Sequence, residues 1–274
     1  MKTLGAARHY DTLDVWYRAL WGEHLHHGIW LPETADHAEA TANLLKAVAT
    51  AARLQPGMRV CDVGCGYGGP ARWLAANHGV DVTAVTVSAV QYKAAVGIEG
   101  YSRVSYELGD WLENTFPEGA FEAAVAIESV FHFEQPDRAC REMVRVVKPG
   151  GRIVTAGWIT ADFVPGWARW LLIDPIRAAG EMPGLADEWT SRQWLEEVGA
   201  EVVSLERLGH RVDQSWLHAM GIALRELLRN PALRWETLRK PLQAFRLALS
   251  SLRIWTAYRW GMLDYLILAA ERRR

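Results

Sequence analysis

The feature that most constrains the fold is a regular alternation of short apolar runs and amphipathic stretches after residue 57. Helical stretches separate most of the strand-like runs, and alternating strands and helices are typical of right-handed parallel βαβ units. The strand-like runs are 58–63, 80–87, 104–108, 121–127 and 152–158, and the helical stretches are 71–77, 89–96 and 138–147. We therefore predict an α/β fold with a doubly wound sheet, whose ligand-binding groups gather at the carboxyl ends of the strands.

Length and composition indicate one compact globular fold. The chain has 274 residues, of which 50% are hydrophobic and 23% charged, and it contains no repeat or long linker. The best candidate for a membrane-spanning run, 262–270, is short and carries Asp264. The first residues lack an apolar stretch of signal-peptide length, and the three cysteines form no disulfide or zinc pattern. A cytoplasmic protein is therefore expected.

Charge is distributed unevenly along the chain. From Arg211 onward there are 12 Lys and Arg against 5 Asp and Glu, whereas the formal net charge of the whole chain is -2. This asymmetry indicates either an anionic partner or lipid surface, or simply a solvated basic end. No recognised motif supports nucleic acid as the partner.

Residues 211–260 have an almost wholly helical pattern. Five residues in this segment follow a 4-3-4-3 spacing that predicts a narrow apolar stripe: Leu238, Leu242, Phe245, Leu249 and Leu252. The apolar run 263–270 is predicted to return to the sheet as an edge strand, which makes 211–260 a helical insertion. Such an insertion serves either as a cover over a substrate site or as a packing or oligomer surface.

The strongest local motif is the glycine-rich segment 60–70, between a predicted strand and a predicted helix. Gly64, Gly66 and Gly69 satisfy the dinucleotide spacing. However, Asp62 precedes the first glycine, and the next strand ends in Thr86-Val87-Ser88 without a carboxylate. An acid beside glycine amides favours a ligand that carries both an ammonium and a carboxylate. The alternative for Asp62 is a structural capping role.

This segment, together with 82–91, 108–111 and 147–151, resembles the class I S-adenosylmethionine-dependent methyltransferases over about residues 58–160. The resemblance implies a mostly parallel seven-stranded sheet and S-adenosylmethionine as cofactor. It also implies an N-terminal cap at 1–50, a cofactor-binding core at 58–160 and the insertion at 211–260. The cofactor-binding residues that it implies are Tyr10, Asp62, Gly64, Cys65, Gly66, Thr86, Val87, Gln91, Asp110, Trp111 and Glu128.

The second strand lacks the acid that usually holds the ribose in this family. Thr86 and Gln91 are similar to the subgroup that contains cyclopropane fatty acid synthases and tocopherol methyltransferases, where these residue types approach the ribose instead. Asp110 would accept a hydrogen bond from the adenine amine. Trp111 would either cover the adenine or belong to the core.

The N-terminal segment 21–28 and Tyr10 resemble γ-tocopherol and sterol C-methyltransferases. Glu23, His24, His26 and His27 in this segment suggest either a metal site or side chains that close over the cofactor and acceptor. We favour closure and predict no metal, with Glu23 and His26 among the catalytic candidates. The resemblance places Tyr10 near the methionine carboxylate of the cofactor.

His132 follows the fourth strand, where catalytic groups are expected. Its imidazole would act as a base, with a structural histidine as the alternative. Glu128 is expected to support the cofactor or to fix nearby loops. Phe131 stands where cyclopropane synthases and tocopherol methyltransferases carry a glutamate, so a glutamate-based mechanism does not carry over to that position.

Trp158, at the end of the fifth strand, matches a tryptophan in sterol and tocopherol C-methyltransferases. Aromatic faces stabilise a sulfonium or an alkyl cation, so Trp158 is a further catalytic candidate. Trp30, Trp158, Trp167 and Trp170 are predicted to wall the acceptor site. The alternative is that the 14 tryptophans mainly form the core.

These features predict C-methylation of a hydrophobic isoprenoid or aromatic secondary metabolite. O- or N-methylation of a small natural product is the alternative, and a noncatalytic nucleoside- or lipid-binding module is a third. If the acceptor carries a diphosphate, Arg239, Arg246 or Arg253 should face the site, with Mg²⁺ as a possible companion.

Overall fold

A computed structural model describes residues 4–274, so the first three residues of the predicted N-terminal cap lie outside the described part. Seven strands form one sheet in the order β3-β2-β1-β4-β5-β7-β6. The strands are β1 (Arg59–Val63), β2 (Asp81–Thr86), β3 (Val104–Leu108), β4 (Phe121–Ile127), β5 (Val147–Thr160), β6 (Ala200–Arg207) and β7 (Leu263–Arg272). Strands β1 to β5 pair in parallel, and β7 runs antiparallel to both of its neighbours. The predicted α/β fold with a mostly parallel sheet is confirmed.

The prediction that residues 263–270 form an edge strand is wrong. Strand β7 lies between β5 and β6, and β6 is the edge. The run from Leu263 to Ala270 is apolar apart from Asp264, and Tyr265 and Leu268 are fully buried. A strand in the interior of the sheet is buried on both faces, so its sequence is a nearly continuous apolar run, as it is here.

Helices cover both faces of the sheet and its carboxyl end. They are α1 (Leu4–Trp21), α2 (His37–Ala51), α3 (Gly69–His78), α4 (Ala89–Val96), α5 (Pro136–Val146), α6 (Gly166–Ala168), α7 (Asp174–Ala179), α8 (Glu188–Glu196), α9 (Gly209–Val212), α10 (Gln214–Arg229), α11 (Pro231–Arg239) and α12 (Pro241–Arg259). A π-helical turn, Arg169–Ile173, joins α6 to α7. Two apolar clusters fill the two sides of the sheet, one around Leu44, Leu74 and Tyr265, the other around Met143, Ile153 and Leu195.

The segment between β6 and β7 is helical, but two prolines divide it. Pro231 and Pro241 each occupy the first residue of a helix, because proline lacks the N–H that an interior position would donate. The predicted apolar stripe requires one continuous helix through Lys240, but α11 ends at Arg239 and α12 begins at Pro241. Leu238, Leu242 and Phe245 instead face outward, with 65–74% of each residue exposed.

Candidate active site

The glycine-rich loop connects β1 to α3 at the carboxyl edge of the sheet. Gly64 has φ +81°, and a Cβ at this position would lie 2.4 Å from the Cβ of Ser129. Gly66 has φ +55°, and the nearest atoms to a Cβ there would be 3.8 Å away. The backbone therefore turns tightly against Ser129 at Gly64, whereas a Cβ at Gly66 would make only ordinary contacts with Leu25 and Gln91.

Asp62, in strand β1, is buried beside this loop with an unsatisfied oxygen. Only 1% of the residue is exposed, and its Oδ2 atom has no hydrogen-bond partner. Burial raises the pKa of the Asp62 carboxyl to about 7. A buried carboxylate oxygen without a partner is costly, so this position calls for a cationic donor from a ligand.

The loop opens on a first cavity of about 870 Å³, counting the space at its mouth. All the cofactor-binding residues predicted from the sequence line this cavity: Tyr10, Asp62, Gly64, Cys65, Gly66, Thr86, Val87, Gln91, Asp110, Trp111 and Glu128. Glu23, His26 and His132, predicted as catalytic, line it as well. The sheet topology thus brings together groups that are up to 122 residues apart in the chain.

Thr86 and Gln91 hold each other at the end of β2. The Thr86 hydroxyl donates to Gln91 Oε1 at 3.0 Å, and Ser88 Oγ accepts from the backbone N–H of Gln91 at 3.1 Å. Ser88 thereby caps helix α4. Because Oε1 is used inside this pair, the Gln91 amide nitrogen is the group directed toward Gly66, 3.9 Å from the position of a Cβ there.

Asp110 and Trp111 follow β3 on the opposite side of the first cavity. Asp110 accepts from the backbone N–H of Leu112 at 3.0 Å, and the Trp111 indole donates to the carbonyl of Ala139 at 3.1 Å. Trp111 is 2% exposed and packs into the core while one face lines the cavity. Trp111 is therefore a core residue that also lines the first cavity, and its contact with the adenine stays a prediction.

A second and larger cavity adjoins the first. It encloses about 2320 Å³ with its mouth and lies among α1, α7, α10, α11 and α12. Five residues line both cavities: Tyr10, Leu25, His26, Glu128 and His132. A group bound over the glycine loop would therefore meet the contents of the larger cavity at these five side chains.

Of the four tryptophans predicted to wall the acceptor site, one does so. Trp158 lines the second cavity, whereas Trp30 donates to Ser215 Oγ and lies outside it. Trp167 and Trp170 are 55% and 76% exposed, because the short helical turns that carry them lie on the surface. The other aromatic walls were missed by sequence reasoning: Trp16, Tyr17, Trp21, Phe131 and Trp216.

His132 and Tyr10 form a hydrogen-bonded pair where the two cavities meet. The Tyr10 hydroxyl lies 2.9 Å from His132 Nε2, and His132 Nδ1 lies 2.9 Å from the carbonyl oxygen of Glu181. A carbonyl only accepts, so Nδ1 carries the proton and Nε2 presents its lone pair to the Tyr10 hydroxyl. Burial lowers the pKa of His132, against opposing effects of Glu181 and Glu128, and raises the pKa of Tyr10 well above its usual value. Both residues are thus neutral near pH 7.

Glu128 lies between the two cavities with both carboxylate oxygens engaged. Oε1 accepts from the backbone N–H and the Nδ1 of His27, at 2.7 and 2.9 Å, and Oε2 accepts from the Trp158 indole at 3.0 Å. Burial acts to raise the pKa of Glu128, but the contacts with His27 outweigh it and the pKa lies below its usual value. Glu128 also has φ +53°, a left-handed conformation that is uncommon for a glutamate. The carboxylate is therefore an ionised, fixed charge at the junction.

The other side chains of the histidine-rich segment, His24, His26 and Glu23, are engaged in hydrogen bonds within the protein. His26 Nδ1 donates to the carbonyl of His27 at 2.7 Å, and Nε2 lies 3.2 Å from His24 Nδ1. Burial lowers the pKa of His26 to about 3, so it is neutral. Glu23 accepts from Arg72 at 2.8 Å. Among the described residues no cluster of histidines, cysteines and acids is arranged to hold a metal ion.

The predicted arginines do not converge on a common site. Arg246 lines the mouth of the second cavity, but Arg239 and Arg253 do not line it. Arg239 lies at the exposed end of α11.

Comparison with known proteins places this site in a family. A family profile described as a methyltransferase domain matches residues 61–155. The chain is 32% identical over 223 residues to the 27-O-demethylrifamycin SV methyltransferase of Amycolatopsis mediterranei, covering 77% of this chain and 78% of that protein. The chain belongs to the class I S-adenosylmethionine-dependent methyltransferases.

Other proteins resemble this chain either in part of its sequence or in its whole fold. A probable chloroplastic tocopherol O-methyltransferase from rice (Oryza sativa subsp. japonica) is 34% identical over 175 residues, which cover 59% of this chain and 48% of that protein. Among solved structures, the [4+2]-cyclase SpnF is 25% identical with a TM-score of 0.80, covering 100% of this chain and 97% of the other. The Mycobacterium tuberculosis cyclopropane synthase MmaA2 has a TM-score of 0.84 at 16% identity and 99% coverage of both chains. The predicted relation to tocopherol methyltransferases is confirmed, and the cyclopropane synthase shares the fold of this chain.

The first cavity of this methyltransferase fits its methyl donor, S-adenosylmethionine. The donor carries an amino group, for which the unpartnered Oδ2 of Asp62 is a suitable acceptor. Gly64 and Gly66 line the cavity without side chains, so a ligand can approach the backbone closely there. Thr86 and Gln91 would hold the ribose, and Asp110 and Trp111 the adenine.

Proposed function

We propose that this methyltransferase methylates a hydroxyl group on a large, mainly apolar small molecule. The observation that carries the proposal is the Tyr10–His132 pair, which lines both cavities and presents a neutral imidazole lone pair at their junction. A hydroxyl acceptor must lose its proton as it is methylated, and a base at this position serves that need.

The shape of the second cavity supports a large apolar acceptor. Its walls are mostly aliphatic and aromatic side chains from α1, α7, α10 and α12. Polar side chains line it both at the junction with the first cavity and along α12, where Gln243, Ser250 and Ser251 contribute. Apolar pockets with a small number of convergent polar groups are typical of small-molecule sites. The apolar walls bind the acceptor, and the polar groups orient its reacting atom.

The residues of the junction define a route for the proton. The acceptor hydroxyl would donate to the Tyr10 oxygen, while Tyr10 donates to His132 Nε2. As the acceptor oxygen gains the methyl group, its proton passes to Tyr10, and the Tyr10 proton passes to His132. S-adenosylmethionine supplies an electrophilic methyl group on sulfur when it is bound. The high pKa of Tyr10 keeps the hydroxyl protonated between turnovers, so it relays the proton without storing charge.

Glu128 and its partners would act as a fixed electrostatic element. The ionised carboxylate lies between the cavities, so it favours a positively charged ligand group at the junction. The hydrogen bonds from His27 and Trp158 prevent the carboxylate from turning toward the acceptor. Glu128 is thus a charge and a positioning group in this proposal, and His132 is the base.

A second candidate is C-methylation of an isoprenoid or aromatic acceptor, as the sequence analysis predicts. The aromatic faces of Trp158, Trp216 and Phe131 near Glu128 favour it, because such faces stabilise a carbon-centred cation. A diphosphate-bearing acceptor receives less support, since only Arg246 of the three predicted arginines lines the cavity.

The names of the relatives support a role in secondary metabolism. The bacterial relative is named for O-methylation of a rifamycin, and the rice relative for O-methylation of tocopherol. Both names describe methyl transfer to oxygen, which is the chemistry proposed here.

The test is to incubate the protein with carbon-13-methyl-labelled S-adenosylmethionine and a lipophilic extract of its host. Labelled products would be found by mass spectrometry, and the carbon-13 chemical shift of the methyl group distinguishes attachment to oxygen from attachment to carbon. A labelled O-methyl group supports the proposal, whereas a labelled C-methyl group overturns it in favour of the second candidate. Asp62→Ala, which should not bind the donor, is the negative control.

A further inference from the structure

The ends of α10, α11 and α12 form an exposed apolar surface, which we call the helical tip. Six large apolar side chains on it are 63–74% exposed: Leu224, Leu228, Trp235, Leu238, Leu242 and Phe245. These residues span the two proline-initiated breaks in the insertion, so neighbouring helix ends present them together. Contiguous exposed apolar side chains in a globular protein mark an interaction surface.

Exposed cationic side chains are interspersed with these apolar side chains along the same helices. Between residues 224 and 246 there are six Lys and Arg against two Glu. All six cations are exposed: Arg225, Arg229, Arg234, Arg239, Lys240 and Arg246. Helices that combine exposed Leu, Phe and Trp with Arg and Lys lie in the interface of anionic bilayers.

Part of the lining of the second cavity belongs to the helical tip. Leu224 and Arg246 line the cavity and are also exposed at the surface. Thr237, Gln243 and Ala244, from the same helix ends, complete this side of the lining. A molecule that enters the cavity here passes directly from whatever covers the helical tip.

We propose that the helical tip docks on the surface of an anionic lipid bilayer, and that the apolar acceptor enters the second cavity from that bilayer. The docking rests on the apolar and cationic side chains alone, and only the entry step rests on the proposed function. Within residues 4–274 no helix is long and apolar enough to span a membrane, so the contact would lie at the interface.

The charge of the helical tip favours a bilayer over a second copy of the chain. A twofold interface pairs the same surface on both subunits, so the cations around one tip would face those around the other. Like charges brought together across an interface are unfavourable. Anionic headgroups provide the complementary charge, and the acyl region accommodates the leucines, Trp235 and Phe245.

The experiment is vesicle co-sedimentation of the full chain without cofactor or acceptor. The probes are vesicles of phosphatidylcholine alone and vesicles in which about 30% of the lipid is phosphatidylglycerol, at low and high salt. We expect binding to the anionic vesicles that weakens as salt increases, and little binding to phosphatidylcholine alone. Because no methyl transfer is measured, failure of this test is distinguishable from failure of the proposed function.

Two sets of variants separate the apolar from the electrostatic contribution to vesicle binding. Leu238→Ser with Leu242→Ser should lower the vesicle partition coefficient by about tenfold or more, because two exposed leucines lose their contact with the acyl region. Arg234→Gln with Arg239→Gln should lower it by roughly fivefold for each arginine removed. The matched controls are Val203→Ser, at an exposed position of strand β6, and Arg141→Gln, on helix α5. Circular dichroism and thermal unfolding establish that every variant is folded.

The proposal is overturned if the chain does not bind anionic vesicles, or if it binds both kinds of vesicle equally at all salt concentrations. It is also overturned if the leucine variants leave binding unchanged while the controls behave as wild type. If instead analytical ultracentrifugation shows a dimer that the leucine variants dissociate, and vesicles are not bound, the helical tip is a self-association surface.

Discussion

The Trp216 indole nitrogen lies 2.7 Å from His27 Nε2, and this contact selects the tautomer of His27. An indole nitrogen only donates, so Nε2 must accept and the single ring proton is on Nδ1, where it is donated to Glu128. The chain Trp216–His27–Glu128–Trp158 therefore consists of donors and acceptors that match at each step. Its members come from four separate parts of the sequence.

Replacing Glu128 with Gln should disturb this chain. A glutamine presents one acceptor and one donor group, so its NH₂ would face either the Trp158 indole or the N–H groups of His27. We expect the free energy of unfolding to fall by about 1–3 kcal/mol, the usual effect of leaving a buried group unpaired. Urea denaturation measures it, and Glu134→Gln, at an exposed position, is the control. A loss no larger than that of the control would mean that the network does not stabilise the fold.

Asp62 should make cofactor binding depend on pH. The pKa of the Asp62 carboxyl is about 7 when no ligand is bound. A bound ammonium group favours the ionised carboxylate and therefore lowers this pKa. Affinity for S-adenosylhomocysteine, which carries the same amino group, should therefore increase as pH rises from 5.5 to about 7 and then level off. Calorimetry in buffers of different ionisation enthalpy should detect proton release at pH 6.

Asp62→Asn should remove both the pH dependence and most of the affinity. Asn114→Asp, outside the two cavities, serves as a control for a general change in charge. If Asp62→Asn binds the ligand as tightly as wild type at pH 7.5, Asp62 does not contact the amino group.

His132 should be required for turnover and not for binding of the methyl donor. His132→Ala should lower kcat by about 10²–10⁴, the usual contribution of a general base, and Tyr10→Phe should lower it because the relay loses its hydroxyl. His210→Ala, at an exposed position, is the matched control. Unchanged turnover in His132→Ala would exclude it as the base.

The pH–rate profile of the wild type gives an independent measurement of the same group. Burial lowers the pKa of His132, so kcat should be constant at neutral pH and decrease only below pH 6.5 as the imidazole gains a proton. This acidic limb should disappear in His132→Gln. A limb centred above pH 7 would indicate a different base.

The cofactor side of the site could be predicted because its signals are local. Asp62, Gly64 and Gly66 occur in one loop, and Thr86 and Gln91 lie within six residues of each other, so spacing alone relates them. Strand positions 104–108 and 121–127 coincide with the observed strands for the same reason, since the first alternates apolar and polar residues and the second is a short apolar run.

The acceptor side could be predicted only in part, because its members meet through tertiary packing. Trp216 reaches His27 across 189 residues, and Tyr10 reaches His132 across 122. The sequence identifies His132 and Trp158 as strand-end residues but contains no signal that selects Trp216 from 14 tryptophans. The stripe that contains Leu238 and Leu242 assumes one continuous helix, whereas Pro241 begins a new helix between these two residues.

Two histidines near the N-terminus, His26 and His37, should make the free energy of unfolding depend on pH under acidic conditions. Burial lowers the pKa of His26 to about 3 and that of His37 to about 4, whereas an unfolded histidine has a pKa of about 6.5. Below pH 6.5 the unfolded chain therefore binds more protons, so the free energy of unfolding should decrease as pH falls from 6.5 toward 4. Asp62, whose pKa is raised to about 7, acts in the opposite direction between pH 7 and 4 and offsets one of the two histidines.

His26→Gln isolates one of these groups, because glutamine has a donor for the carbonyl of His27 and an acceptor for His24 but does not titrate. At pH 5 the slope of unfolding free energy against pH should be smaller than in wild type by up to about 1.4 kcal/mol per unit, the value for one proton. Urea denaturation at pH 4.5, 5.5, 6.5 and 7.5 without ligand measures the slope, and His210→Gln is the control. Equal slopes for wild type and His26→Gln would mean that His26 is protonated in the folded protein and that its two hydrogen bonds are not those described here.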